Sequence, residues 1–305
     1  MGQEEKKKSE FWYHVAAFAM ILVWGISFLN TRVLLDAGMT PTEIFVARFT
    51  IAYLSLLLVS GFKVRFTGWR DELLFVVCGV AGGSAYFIAE NTALELTLIS
   101  DVAVLVSTAP LTTALMGAIF YRDERITWLS CLGMVIAFVG SVMLALKDGL
   151  VWGDSILGDL LALLAAFVWA FYSMALKKLN RTYSTLFITR KLFFYGILSA
   201  LPLLLMEDSQ IDWQAVKRPE VWGNLLYLGL VCSLAAYFIW GITVKRIGAV
   251  RASNYFYLSP IISMIAAAIW FGERTNAVAY AGCVLILAGV IMAEKFKRKP
   301  DAVNQ

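Results

Sequence analysis

Ten apolar runs, each about twenty residues long, constrain this chain more than any other feature. They lie at approximately 13–35, 44–62, 73–94, 99–121, 126–146, 156–179, 185–205, 221–245, 249–271 and 276–296. A helix needs roughly 20 apolar residues to cross the hydrocarbon of a bilayer. The connections between the runs are short, so no stretch is left for a soluble domain. Composition points the same way. Of the 305 residues 60% are hydrophobic and 16% charged, and the mean hydropathy is +0.74, whereas ordinary soluble domains carry about 25% charged residues. A water-soluble core of this extent would have no surface to cover it. The expected fold class is all-α integral membrane with ten transmembrane helices, in contact with a lipid bilayer.

Orientation follows from the basic residues of the connections. With both termini on one side, 20 of the 26 Lys and Arg fall on that side and 6 on the other. Both termini are therefore expected in the cytoplasm, in a multi-pass protein of the cell membrane, the inner membrane if the source is bacterial. Lys6-Lys7-Lys8 precede an apolar stretch too long for a signal-peptide core, so the first helix is expected to remain. Net charge +4 gives no case for a nucleic-acid partner. Cys78, Cys131, Cys232 and Cys283 each sit in an apolar run, and the single histidine is His14. No spacing suits a metal, and no cofactor is expected.

The chain also repeats itself. Tyr86-Phe-Ile is answered by Tyr237-Phe-Ile, and Ser107-Thr-Ala-Pro110-Leu by Tyr257-Leu-Ser-Pro260-Ile. Glu124-Arg125 followed by Gly133 and Gly140 is answered, at a constant offset, by Glu273-Arg274 followed by Gly282 and Gly289. Trp24 matches Trp169, and Phe45-x-x-Arg48 matches Phe187-x-x-Arg190. The expected units are a tail at 1–12, one repeat at 13–146, a second at 156–296 and a tail at 297–305. Each repeat holds five helices. Because five is odd, the second must enter the membrane the opposite way up, giving two inverted-topology five-helix repeats. Secondary transporters are commonly built this way, around a site near the midplane.

Together these features resemble the EamA family of the drug/metabolite transporter superfamily. The likeness rests on the five-plus-five order, the Pro-centred helices four and nine ending in Glu-Arg, and the paired Gly-rich helices five and ten. It spans about Ala16 to Ala293. It implies a ten-helix bundle with a central cavity that moves small metabolites, usually outward in bacteria, with relatives handling amino acids, purines, sugars and drugs.

Glu90 is the first candidate for function. A carboxylate inside an apolar run costs roughly 2.5–3.5 kcal/mol near a helix centre by insertion scales. Such a group suits a proton-coupling or substrate-binding role, with a structural pair to Arg48 as the alternative. On a regular helix Gly79, Gly83, Tyr86 and Glu90 share one stripe. Asn91, beside it, points about 100° away and is a second coupling or substrate-binding candidate, or a bond to a neighbouring helix. Pro110 and Pro260 are expected to kink their helices and free carbonyls. Ser107, Thr108, Asn254, Tyr257 and Ser259 lie near these prolines and are candidates for the cavity wall, or for bonds to their own helix. Trp24, Trp169, Tyr86 and Tyr172 complete the expected wall. Arg48 and Arg190, near opposite ends of helices two and seven, are expected to snorkel or to act as gates by pairing with Glu43, Asp101 or Glu124. The glycine pairs read as helix-packing strips, with a dimer contact as a further use, in a protein that is a monomer or weak homodimer.

Other classes fit less well. Gly82-Gly-Ser84-Ala is not a nucleophile elbow, and His14 stands too shallow to act as a base there. No rings of like charge mark a channel. The expected function is a secondary transporter exporting small organic metabolites, amino-acid-like or drug-like, by alternating access with possible proton coupling. A facilitative uniporter or importer of the same fold is the alternative, and a membrane structural or receptor protein the alternative from another class.

Overall fold

The computed structural model describes residues 3–61, 66–120, 127–145, 155–207, 214, 217–271 and 276–296. Among them every regular element is helical. A bilayer favours this, because a helix satisfies its backbone N–H and C=O groups within its own segment.

The ten runs form ten helices. They are α1 (Gln3–Asp36), α2 (Pro41–Ser60), α3 (Trp69–Leu96), α4 (Ile99–Val106 and Ala109–Phe120) and α5 (Trp128–Ala145). The second set is α6 (Ile156–Leu179), α7 (Thr185–Met206), α8 (Pro219–Ile247), α9 (Ala249–Ser253, a tighter turn Asn254–Leu258, then Ser259–Phe271) and α10 (Ala277–Lys295). Starts follow local chemistry. Thr40 and Glu43 form a reciprocal cap on α2 with Pro41 in its first turn, which satisfies two N–H groups the helix cannot. Ser155, Ser184 and Asn276 cap α6, α7 and α10. The chain is helical from Gln3 and continuous with α1, while 297–305 lies outside the described residues.

The outward faces are apolar. Leu58, Val59, Ile119, Leu205, Val284 and Ile291 are all exposed, which water would penalise and lipid does not.

The packing has the symmetry of the repeat. α1 lies on α8 as α6 lies on α3, α2 on α8 as α7 on α3, and α9 on α1 as α4 on α6. α2 and α7 pack on each other, as do α5 and α10. Exchanging every helix for the one five places on returns each of these contacts. Even the irregularities match. A π segment interrupts α3 at Val80–Ser84 and α8 at Tyr227–Ala235. α4 breaks at Ser107 and Thr108 just before Pro110, and α9 tightens at Asn254–Leu258 just before Pro260. Each proline thus stands in the first turn of the helix that it opens, where its missing N–H costs nothing.

The glycine strips serve the contact between α5 and α10. A Cβ on Gly133 would fall 2.5 Å from Ala293 N, one on Gly140 2.7 Å from Gly282 O, and one on Gly289 2.4 Å from Ala137 N. The strips are used inside the chain.

Candidate functional site

A narrow cavity remains where the two halves meet. α1 lines it with Trp24, Ser27 and Phe28, α3 with Tyr86, Phe87 and Glu90, and α4 with Val106. From the second half come Trp169 of α6 and Phe256 and Ser259 of α9. Aromatic rings dominate this wall, and among the described residues Glu90 is the one charge on it.

The π segment decides which residues of α3 reach the cavity. Its wider turn adds a residue, rotating the remainder of the helix by about 100°. A Cβ on Gly79 would meet Tyr195 of α7 at 2.7 Å, and one on Gly83 would meet Phe49 of α2 at 3.2 Å. A Cβ on Gly82 would instead run into Tyr172 of α6 at 2.3 Å. The single stripe expected for Gly79, Gly83, Tyr86 and Glu90 is therefore split. The glycines admit α7 and α2, while Tyr86 and Glu90 face α6 and the cavity.

Tyr86 Oη donates to Glu90 Oε1 at 2.6 Å. Glu90 is 4% exposed. It is not ion-paired with Arg48. The Arg48 Nε donates to Ser233 Oγ of α8 at 2.9 Å, and its guanidinium carbon sits 4.2 Å from the centroid of the Phe87 ring. Its Nη1 and Nη2 are buried without a hydrogen-bond partner among the described residues. Arg48 was expected to snorkel or to gate with Glu43 or Asp101. It lies two turns inside α2, is 1% exposed, and is covered by the π segment of α8. Glu43 accepts instead from Thr40 N. Arg190 does stay near a helix end, where its Nη1 donates to Gly61 O at the close of α2. Glu124 lies outside the described residues.

Trp24 and Trp169 meet edge to face at 5.5 Å, and the Trp24 indole donates to Cys232 O at 2.9 Å. Trp240, Phe256 and Tyr237 extend this aromatic cluster, with centroids 5.2, 5.8 and 5.9 Å from Trp24. None of the three stood out as a site residue in the sequence, although the repeat pairing of Tyr86 with Tyr237 marked the place. Tyr172 touches Trp169 but stands behind it, packed on Gly82, and does not line the cavity. Asn91 Nδ2 donates to Pro41 O of α2, away from the cavity. Ser107 and Thr108 bond back to Val104 O and Leu105 O at the helix break. Asn254 and Tyr257 are buried in the tight turn of α9 but are not on the cavity wall. Of the five polar residues near the prolines, Ser259 alone reaches it.

A second charged cluster lies near the end of the bundle where the chain begins. Lys191 Nζ is 2.7 Å from Glu72 Oε1, and Tyr195 Oη donates to Glu72 Oε2 at 2.5 Å. Lys191 stands six residues inside the apolar run 185–205, which was the available signal. Beside this pair, in the α6–α7 connection, Tyr183 donates to Asp71 at 2.5 Å, and that bond, together with burial, holds the phenol above its usual range.

Known proteins share this architecture. The model of the EamA-like transporter family matches residues 11–146 and again 156–294. A probable terminal-alkyne amino-acid exporter of Streptantibioticus cattleyicolor is 28% identical over 284 residues, covering 92% of this chain and 93% of that protein. A probable amino-acid metabolite efflux pump of Salmonella typhimurium is 28% identical over 295 residues, covering 90% of this chain and 92% of the pump. A solved crystal structure superposes with a TM-score of 0.72 at 22% identity, over 92% of this chain and 98% of its own. At that identity it speaks for the fold alone.

Proposed function

The chain belongs to the EamA-like transporter family, and on that premise we propose that it exports small organic metabolites bearing an amine, by alternating access coupled to protons. The observation that carries this is Glu90, the charge on a wall of aromatic rings shared by both repeats. A buried carboxylate is tolerated when protonated or when paired with a cation. One residue can then hold a proton and a substrate ammonium in turn, which is antiport in its simplest form. Trp24, Trp169 and Phe256 offer ring faces to a cation and apolar area to the rest of the molecule. The names of the two relatives support cargo of the amino-acid kind. The pseudo-symmetry supports alternating access, since exchanging the conformations of the two repeats would move the opening from one side to the other. We place both termini in the cytoplasm, from the basic side of the connections, and the chain in the cytoplasmic membrane.

The test is flux in proteoliposomes across an imposed pH gradient. Glu90→Gln, which keeps shape and one acceptor but cannot ionise, should abolish gradient-driven transport. Unchanged flux with an unchanged pH profile would remove Glu90 from the mechanism.

A further inference from the structure

Arg48 has a property that the transport reading leaves unused. It is 1% exposed, only its Nε is satisfied, and Nη1 and Nη2 have no hydrogen-bond partner among the described residues. A buried guanidinium with both terminal nitrogens unsatisfied is an expensive group to keep. The ring of Phe87 under it offsets part of that cost through cation–π attraction. The same ring lines the cavity, and Glu90 is three residues further along the same helix face. Arg48 is thus separated from the cavity by one side chain.

We propose that Arg48 is the carboxylate-binding residue of the transport site, reached when the Phe87 ring swings off the guanidinium. This rests on the transport reading given above and deepens it. Two adjacent N–H donors in a planar fork match a carboxylate and do so bidentately. With the substrate's carboxylate on Arg48, its ammonium on Glu90 and its side chain among Trp24, Trp169 and Phe256, both buried charges are compensated together. The substrate class is then a zwitterionic amino acid with an apolar side chain. An amine alone would leave Arg48 orphaned, and an acid alone would leave Glu90 so.

The experiment uses three probes that share a phenyl ring: phenylalanine, 2-phenylethylamine and 3-phenylpropionate. Each is titrated calorimetrically into the purified protein and into Arg48→Gln and Arg48→Lys. The wild type should bind phenylalanine at least tenfold more tightly than the amine. Arg48→Gln should lose at least tenfold for phenylalanine and stay within twofold for the amine, and Arg48→Lys, charged but without the fork, should fall between. A structural arginine would give equal losses for phenylalanine and the amine in Arg48→Gln, which would overturn the assignment. A wild type that binds the amine without preferring the zwitterion overturns it as well. A wild type that binds none of the three overturns the amine-bearing reading itself.

Discussion

Replacing Lys191 with Met tests how this bundle holds its buried charges. Lys191 Nζ and Glu72 Oε1 are 2.7 Å apart, with side chains 8% and 5% exposed. Removing one partner of a buried pair costs roughly 3–5 kcal/mol, since the other charge stays behind without compensation. Here the carboxylate retains Tyr195 Oη at 2.5 Å, Thr67 N at 3.0 Å and Thr67 Oγ1 at 3.2 Å. Hydrogen bonds to a charged group are worth about 1.5–3 kcal/mol each, so Glu72 is never fully orphaned. The expected loss therefore sits at the lower end, about 3 kcal/mol. In the double variant Lys191→Met with Glu72→Gln no charge remains, and the amide can still donate to Tyr195 and accept from Thr67. That variant should return to within about 1 kcal/mol of the wild type. Reversible unfolding in SDS-containing mixed micelles, monitored by tryptophan fluorescence, gives both values and their coupling. A loss under about 1 kcal/mol for Lys191→Met, or a double variant as unstable as the sum of its parts, would refute the reasoning.

Particular contacts set the remaining expectations. Gly289→Ala places a methyl 2.4 Å from a backbone nitrogen of α5, so α5 and α10 must separate, at a cost of about 1–3 kcal/mol in the same assay. Gly223→Ala, with nothing within 4 Å of the new Cβ, should be neutral or slightly stabilising. The Tyr183 phenol is raised by its bond to Asp71, so that contact is complete below the ordinary phenol value of about 10 and is lost as pH rises through the raised one. Stability measured from about pH 8 to 12 should fall less steeply in Tyr183→Phe, and identical profiles would show that the bond does not form in solution.

The ten spans and their pairing into halves were open to reading in the sequence, because lipid imposes length and hydropathy on each segment independently. Glu90 was legible for a similar reason. A carboxylate among apolar residues stands out wherever the chain folds, and its cost does not depend on knowing its neighbours. The partners of that charge were not legible. Reading α3 at 3.6 residues per turn put Gly79 and Glu90 on one face, and nothing in the composition of Val80–Ser84 announced the wider turn that parts them. Arg48 looked like an interfacial residue because its own helix places it only two turns from an end. Its burial comes from α8, which begins 171 residues later in the chain and carries Ser233 over it. Lys191 and Glu72 are 119 residues apart, and no local pattern links them. The membrane thus wrote the segments into the sequence one at a time. Which side chains face one another, and so where a charge is satisfied or left bare, was decided only when the helices packed, because that depends on contacts between segments that share no local signal.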